Sequence, residues 1–566
     1  MNGWLLAKNI VSVPKTDGQI SKRKQYYLFK NLLNKFPGDI VDAQGTDFDS
    51  FFDGYILSKS EICQKYGEDN WENTFIKNCD NHIIEEDYRG AFCGFALFHE
   101  KNEIVCFADQ VGNRSLYYFC EDDKLIIASR MDYILEVLNS EKIHYELDVN
   151  AVKYMLTFGA MIDDTTFVKS VKRVLPGHKV SFKDGNVTQM VYYQMDNQKI
   201  RSDISENEAV ELIDQAFRTA VKREFEKDKE YGYRHLVNLS GGLDSRMVCW
   251  VAHTMGYTEQ LNTTYCRKGY LDHKIAERIA MDLKHQYLFM PLDDCNWVYD
   301  MDEIVHKNNG AALYTGIGGG NRMLSLLDTS QFGIEHTGMV GDVIPSSFYS
   351  EKETAHGNPR FDLHLYSNKI HYNYDSKILD QYPNQEIFAL YTRGLLCAES
   401  SYMIRQCYVE TGSPFLDVDF LNVCLSLPFE YRKKHHIYLK WIEQKYPEAA
   451  NYGWEKWGGV KPKESHIKYR RLVTIKRLLQ RKTDKILKRY NQDNMNPLDY
   501  WYSKNEGLQR LYQDYYQQLI EQIEVPEEIR NDMKKVFCEG TVSEKSMVLT
   551  ILAAYKNYFK ELAEAI

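Results

Sequence analysis

The chain is predicted to be of mixed class, α/β plus α+β: a strand-rich first third, then a doubly wound parallel sheet, then a helical C-terminal part. Three observations predict this. Up to about residue 195 short apolar runs alternate with polar turns, as where Phe92-Cys93-Gly94-Phe95-Ala96-Leu97-Phe98 and Ile104-Val105-Cys106-Phe107-Ala108 flank a charged turn, the pattern of a buried hairpin. From His235 onward strand-like runs alternate with helix-spaced apolar residues: His235-Leu236-Val237-Asn238-Leu239, Leu261-Asn262-Thr263-Thr264-Tyr265 and Gln286-Tyr287-Leu288-Phe289-Met290. Beyond Tyr391 the sequence is mostly polar with helical spacing.

At 566 residues the chain exceeds one ordinary core, and two domains are expected, 1–195 and 200–566. Between them Ala209, Val210, Ile213, Phe217 and Val221 predict a connecting helix that ends in a charge run from Lys222 to Glu230, expected to be a solvated face. The composition, 44% hydrophobic and 27% charged, is that of a globular protein, and a net charge of -10 argues against nucleic acid as an obligatory partner. Twelve cysteines without a Cys-x-x-Cys pair, and an opening with no long apolar stretch, predict reduced thiols and a cytoplasmic protein. No apolar run approaches the ~20 residues that span a bilayer, so no membrane partner is expected.

The chemistry centres on Ser240-Gly241-Gly242-Leu243-Asp244-Ser245, between the apolar run ending at Leu239 and a helix-compatible stretch starting near Arg246. Glycines 241 and 242 leave backbone N–H groups accessible, and a helix start favours an anion. Ser240 and Ser245 can donate hydroxyl hydrogen bonds to it, whereas Asp244 needs a cation between itself and a phosphate. A phosphate chain with Mg²⁺ is the implied ligand. A Walker A loop would end in Gly-Lys-Ser/Thr, and that lysine is missing. Ligands of a doubly wound sheet bind beyond the carboxyl ends of its strands, which makes Leu239 and Thr264 candidates for nucleotide contact, Thr264 equally an ordinary buried strand residue. The glycine-rich stretch from Gly310 to Arg322 has no strand–helix fingerprint and is expected to be a mobile loop over a pocket.

The hexapeptide resembles the PP-loop of ATP pyrophosphatases, which cut ATP between the α and β phosphates. Tyr88-Arg89-Gly90-Ala91-Phe92, Ala108-Asp109-Gln110-Val111-Gly112-Asn113-Arg114-Ser115-Leu116-Tyr117-Tyr118 and Leu175-Pro176-Gly177-His178 are similar to the ordered landmarks of the N-terminal domain of asparagine synthetases. With the PP-loop, the resemblance covers most of the chain. It implies an Ntn-like αββα sandwich followed by a PP-loop domain. Thr337-Gly338-Met339-Val340-Gly341-Asp342-Val343 resembles the superfamily's second nucleotide motif, Ser-Gly-Glu-Gly-Ser-Asp-Glu, with Met339 and Val343 in place of its glutamates. The resemblance implies nucleotide contact at Gly338 and a Mg²⁺ ion between Asp244 and Asp342. Glu410 falls where the family has a glutamate, Gly412 replaces its arginine, and Ser413-Pro414-Phe415-Leu416-Asp417 is similar to its Val-Pro-Phe-Leu-Asp. Lys461-Pro462-Lys463-Glu464 is similar to its Arg-Pro-Lys-Glu, which implies Lys463 as the lysine facing the phosphates, with Lys461 and Lys456 behind it.

The departure lies at the start. The family's glutaminase uses a cysteine directly after the initiator methionine; here that position is Asn2, and Cys63 is the first cysteine. Asp53-Gly54-Tyr55 likewise stands in place of an Asn-Gly-Glu glutamine-binding run. A class II glutamine amidotransferase domain kept only as a scaffold is the expected reading, a mis-started reading frame the other. The expected function is an ATP-dependent ligase that adenylates a small-molecule or peptide carboxylate and couples it to an amine, as in β-lactam synthetases and lasso-peptide cyclases, which resemble this chain in their N-domains. Asparagine synthesis from ammonia, and a catalytically inactive scaffold, are the alternatives. The basic segment 466–490 is a candidate surface for an acidic partner, and a homodimer is left open.

Overall fold

The computed structural model describes residues 2–10, 12–80, 87–487 and 490–561. Lys488 and Arg489 of the basic segment therefore lie outside the described residues. Two antiparallel sheets form the first part, from β1 (Gly3–Lys8), β2 (Gln19–Arg23), β3 (Tyr26–Asn31), β4 (Val41–Gln44), β5 (Phe48–Ile56), β6 (Gly90–Phe98), β7 (Glu103–Ala108), β8 (Tyr117–Glu121), β9 (Lys124–Ala128), β10 (Val171–Arg173), β11 (His178–Lys183) and β12 (Asn186–Val191). Their orders are β10-β8-β9-β1-β3-β2 and β12-β11-β7-β6-β5-β4, and β6 and β7 form the expected hairpin, with Phe98 opposite Glu103.

The period-2 alternation of side chains builds the layers. From β1, Trp4 and Leu6 point between the sheets, where Trp4 packs edge-on against Phe51 at 5.2 Å, while Leu5 and Ala7 point outward. From β6, Cys93, Phe95 and Leu97 face the inter-sheet core, and Phe92, Ala96 and Phe98 face the other way. Helices cover both outer faces. Trp71 and Phe75 of α2 (Trp71–Asp80), together with α1 (Lys59–Tyr66), cover the second sheet, and α3 (Met131–Ser140) and α4 (Val149–Phe158) cover the first. The result is the αββα layering expected for the first part.

The 25-residue helix α5 (Glu206–Glu230) leads into the second part, opened by a capping box in which Ser205 and Glu208 satisfy each other's backbone N–H groups. Its charge run is not a solvated face. Glu224, Lys227 and Asp228 are buried, because this end of the helix packs beneath a five-stranded sheet. That sheet is parallel, with β13 (Arg234–Asn238), β14 (Gln260–Cys266), β15 (Gln286–Pro291), β16 (Phe332–His336) and β17 (Glu410–Gly412) in the order β15-β14-β13-β16-β17. The order reverses between β13 and β16, which opens a crevice at their carboxyl ends. Helices α6 (Leu243–Thr254) and α7 (Leu271–Asp282) follow β13 and β14.

One further expectation is corrected. The glycine-rich stretch from Gly310 is packed: it forms the helices Tyr314–Ile317 and Gly319–Leu326, and the buried Tyr314 hydroxyl donates to Tyr512 at 3.1 Å. The C-terminal helix Val542–Tyr555 shares one core with α4 and with Leu5 and Ala7 of β1.

The sandwich and the second part are joined by one buried and one half-exposed ion pair. Arg114 binds Glu410 of β17 and lies 3.4 Å from Asp53, Arg89 binds Asp419 at 2.7 Å, and the Tyr55 hydroxyl donates to the Thr411 carbonyl at 3.0 Å. Burial pushes the Glu410 carboxyl up to about 7 despite Arg114 beside it. Replacing Arg114 by methionine leaves two buried carboxyls without their cation, a loss of about 3–5 kcal/mol. The expected outcome is a thermal midpoint for Arg114→Met lowered by several degrees, with Arg114→Lys intermediate; an unchanged midpoint contradicts this account of the junction.

Candidate functional site

The loop after β13 is held from three sides. The Leu239 N–H donates to the Thr263 carbonyl at 2.9 Å and the Thr264 hydroxyl donates to the Leu239 carbonyl at 2.5 Å, so Thr264 ties β14 to the strand end. Inside the loop the Ser240 N–H donates to the Ser245 hydroxyl at 3.0 Å, the two hydroxyls are 2.9 Å apart, and the Gly242 N–H donates to Ser240 Oγ at 3.1 Å. The guanidinium of Arg246, fully buried, donates to the Gly241 carbonyl at 3.2 Å and to the Ala449 carbonyl at 3.1 Å. Gly242 caps α6 in extended backbone, so the helix starts at the loop and its first N–H groups face the crevice. The Gly241 N–H already donates to a carboxylate, Asp272 at 2.9 Å.

The loop after β16 runs directly across the start of α6. The Thr337 N–H donates to the Gly412 carbonyl at 2.9 Å and Ser413 Oγ to the Met339 carbonyl at 3.1 Å, which fixes its path. At Gly338 a Cβ would stand 2.3 Å from the Ser245 backbone nitrogen, and at Gly341 it would stand 2.6 Å from the Asp244 Cβ. Only glycine permits this approach at either position, and the approach brings Asp342 to Asp244. Burial and the charge of Asp342 push the Asp244 carboxyl up to about 8, while a hydrogen bond from the Tyr438 hydroxyl at 2.8 Å acts in the opposite direction. Lys456 supplies the local positive charge, its ammonium 3.4 Å from Asp342 and 3.2 Å from His435 Nε2. Burial and that ammonium hold the His435 imidazole down to about 4.

The segment that carries Lys456 is anchored on the loop itself, through the Glu455 N–H to the Gly241 carbonyl at 3.2 Å. Glu455 also accepts from the Tyr270 hydroxyl, and burial together with Glu455 pushes Asp272 up to about 7. Of the lysines expected from the sequence, Lys463 instead donates to Asn451 Oδ1 at 2.9 Å and Lys461 is exposed; the one brought to the aspartates is Lys456, because Gly458 and Gly459 turn the chain before it reaches either of the others. Glu410 is not part of this constellation either. It lies inside β17 with its carboxylate on Arg114, at the junction with the sandwich. Tyr438, Asp272 and Glu455 were missed from the sequence. Asp272 could have been found from its position, since it opens the helix that follows β14 on the ligand edge; Tyr438 lies on a distant helix, His436–Lys445, and carries no local signal.

The donor set fits a divalent cation: two neighbouring carboxylates, Asp244 and Asp342, beside the hydroxyls at 240 and 245. Mg²⁺ would be held by Asp244 and Asp342, and when bound it neutralises phosphate charge. A second cluster lies deeper, where Asp228, His235 and His336 offer ligand atoms within 4.8 Å of one another. Here a proton does the joining: His336 Nδ1 is 3.0 Å from Glu224 and Nε2 2.8 Å from Asp228, so both ring nitrogens already face carboxylates.

Residues 77–193 match the family model described as glutamine amidotransferase domain. The chain thus carries a glutamine amidotransferase-like segment within the sandwich, and no curated protein matches it. Among solved structures, it is similar to the glutamine phosphoribosylpyrophosphate amidotransferase of B. subtilis complexed with ADP and GMP, at 10% identity and a TM-score of 0.23 over 52% of this chain and 85% of that one. It is also similar, at 9% identity and a TM-score of 0.23 over 51% of this chain and 74% of the other, to a structure described as the allosteric regulatory enzyme of purine biosynthesis. Superposition at that level defines no shared arrangement. No helix among the described residues is long and apolar enough to cross a membrane.

The buried His336 makes stability depend on pH. Burial alone would lower its pKa, but Asp228 and Glu224 outweigh that and hold it at about 9, above the 6.5 of a free imidazole. A folded-state pKa above the unfolded one stabilises fully below 6.5 and loses that contribution as pH rises through about 9. Thermal midpoints measured from pH 6 to 9.5 should therefore fall with rising pH, and His336→Gln should flatten this slope; an equal slope in the variant contradicts the assignment.

Proposed function

We propose that the chain is an ATP-dependent, amide-bond-forming ligase that works without a glutaminase of its own. The observation that supports this most is the meeting of Asp244 and Asp342 at the sheet's switch point, beside a Ser-Gly-Gly loop and the start of α6. A carboxylate oxygen of the acid substrate attacks the α phosphorus of ATP, and the bond to the bridging oxygen breaks to release pyrophosphate. An amine then attacks the activated carbonyl, AMP leaves, and the amine loses a proton. Ser240, Gly242 and Ser245 border the pyrophosphate, while the Gly241 N–H is held by Asp272; Leu239 and Thr264 border the nucleotide, and Gly338 lets the second loop lie against the start of α6. Lys456 faces the developing negative charge from beside Asp342. Each role is one of position and electrostatics.

The amine comes from outside the sandwich. Asn2, directly before β1, offers no nucleophile, and Cys63 is a half-buried residue of α1 that receives the Thr74 hydroxyl. The residues in place of a glutamine-binding run are occupied structurally: Asp53 faces Arg114, and Tyr55 reaches across to β17. Glutamine amidotransferase-like architecture is retained here as the platform on which the parallel sheet is mounted.

Exchange of labelled pyrophosphate into ATP, screened over amino acids and carboxylate-bearing peptides, tests the first half-reaction. Exchange should appear with one class of acid and fall by at least about 10²-fold in Asp244→Asn and Asp342→Asn, both of which remain folded. Exchange at wild-type rate in either variant, or none with any acid, contradicts the proposal. Amide nitrogen from labelled glutamine should not enter the product, and its transfer would contradict the glutaminase-free reading.

A further inference from the structure

A groove of about 1230 Å³ lies beside the reaction site, between the helix His436–Lys445 and the basic helix Ile467–Ile486. The basic helix is anchored along one stripe. Arg470 stacks its guanidinium 4.9 Å from the Trp457 ring, Val473 sits against Gly458, and Arg477 donates to the Glu455 and Lys456 carbonyls. The neighbouring stripe, Arg471, Thr474, Ile475 and Leu478, follows the same helical period but meets no partner element; Ile475 and Leu478 are more than half exposed. Leu439 and Trp457, both buried, back the opposite wall and floor.

The rim is cationic in a chain whose net charge is -10. Lys433, Lys434, Lys440, Arg470 and Arg471 line the groove against only Glu430 and Glu443. Lys433 and Lys440 are neutralised by Glu430 and Glu206, and Lys434 has only a loose contact to Glu351 at 3.8 Å. Among the described residues no carboxylate pairs with Arg470 or Arg471, and their mutual repulsion adds to burial in lowering the Arg470 pKa. The groove neighbours the site through the backbone: His435, which contacts the Lys456 ammonium, lies between its lining residues Lys434 and His436, and Lys456 directly precedes Trp457.

We propose that this groove docks an acidic, amphipathic polypeptide segment, with apolar side chains on Ile475 and Leu478 and carboxylates on Arg470, Arg471 and Lys434. Concavity selects a polypeptide over a lipid surface, because a bilayer cannot enter a cleft between two helices. Delivery of the segment's end to the Asp244–Asp342 pair rests on the ligase reading, whereas docking does not. The test uses the full chain and a fluorescein-labelled synthetic helical peptide with leucines on one face and glutamates on the other. A glutamine-for-glutamate analogue and vesicles of phosphatidylcholine with phosphatidylglycerol serve as the competing probes. The glutamate peptide should bind, weaken with salt, and bind at least about tenfold more weakly to the R470E/R471E double variant and to Lys434→Glu on the facing wall. Equal binding of the glutamine analogue, indifference to both charge reversals, or capture by vesicles without capture of the peptide would overturn the proposal. Asp244→Asn should bind the peptide as the wild type does, so loss of exchange and loss of docking are read separately.

Discussion

Two carboxylates held together by glycine are the constraint on which the second half of the molecule depends. Asp244 lies in the first turn of α6 and Asp342 in the loop after β16, and they are brought near because Gly338 and Gly341 carry no side chains where that loop crosses the helix start. Burying a carboxylate near a second one is costly, and the protein registers the cost in the Asp244 carboxyl, raised first by burial and then by the charge of Asp342, and in the lysine drawn to Asp342. An arrangement that is unfavourable for folding and sits at the crevice of a parallel sheet is one that a divalent cation and a polyphosphate would relieve.

Much of the remaining architecture keeps this crevice in place. β16 and β17 position the second loop, and β17 is in turn clamped to the sandwich through Glu410 and Arg114, so the first part of the chain supports the strand next to the one that delivers Asp342. The buried His336, gripped by Glu224 and Asp228 of α5, fixes the last residue of β16 from below. The sandwich thus has a structural role, holding a strand register of the parallel sheet.

The layers were legible because each depends on local periodicity: β6 and β7 alternate with period 2, and the spacing of Ala209, Val210, Ile213 and Phe217 marks α5. The strand–loop–helix around residues 240–245 was equally legible, since an apolar strand leads into it and helix-spaced residues follow it. Less legible were features that depend on packing between distant segments. The choice among Lys456, Lys461 and Lys463 is made by the turn at Gly458 and by the Glu455–Gly241 hydrogen bond, neither of which is a local pattern. The charge run at the end of α5 looks solvated in sequence because its counter-charges, Asp39 for Lys227 and His336 for Asp228, are far away along the chain. Glu410 shows the same limit, its partner Arg114 lying in the other half of the molecule.

The central claim is that Asp244 and Asp342 form one cation-dependent nucleotide site. Calorimetric titration of the full chain with a non-hydrolysable α,β-methylene analogue of ATP tests it most directly, run with Mg²⁺, with EDTA, and with Asp342→Asn in Mg²⁺. The account predicts saturable binding by the wild type in Mg²⁺ only, lost both on chelation and in the variant. Equal affinity with and without Mg²⁺, or undiminished binding by Asp342→Asn, would contradict it.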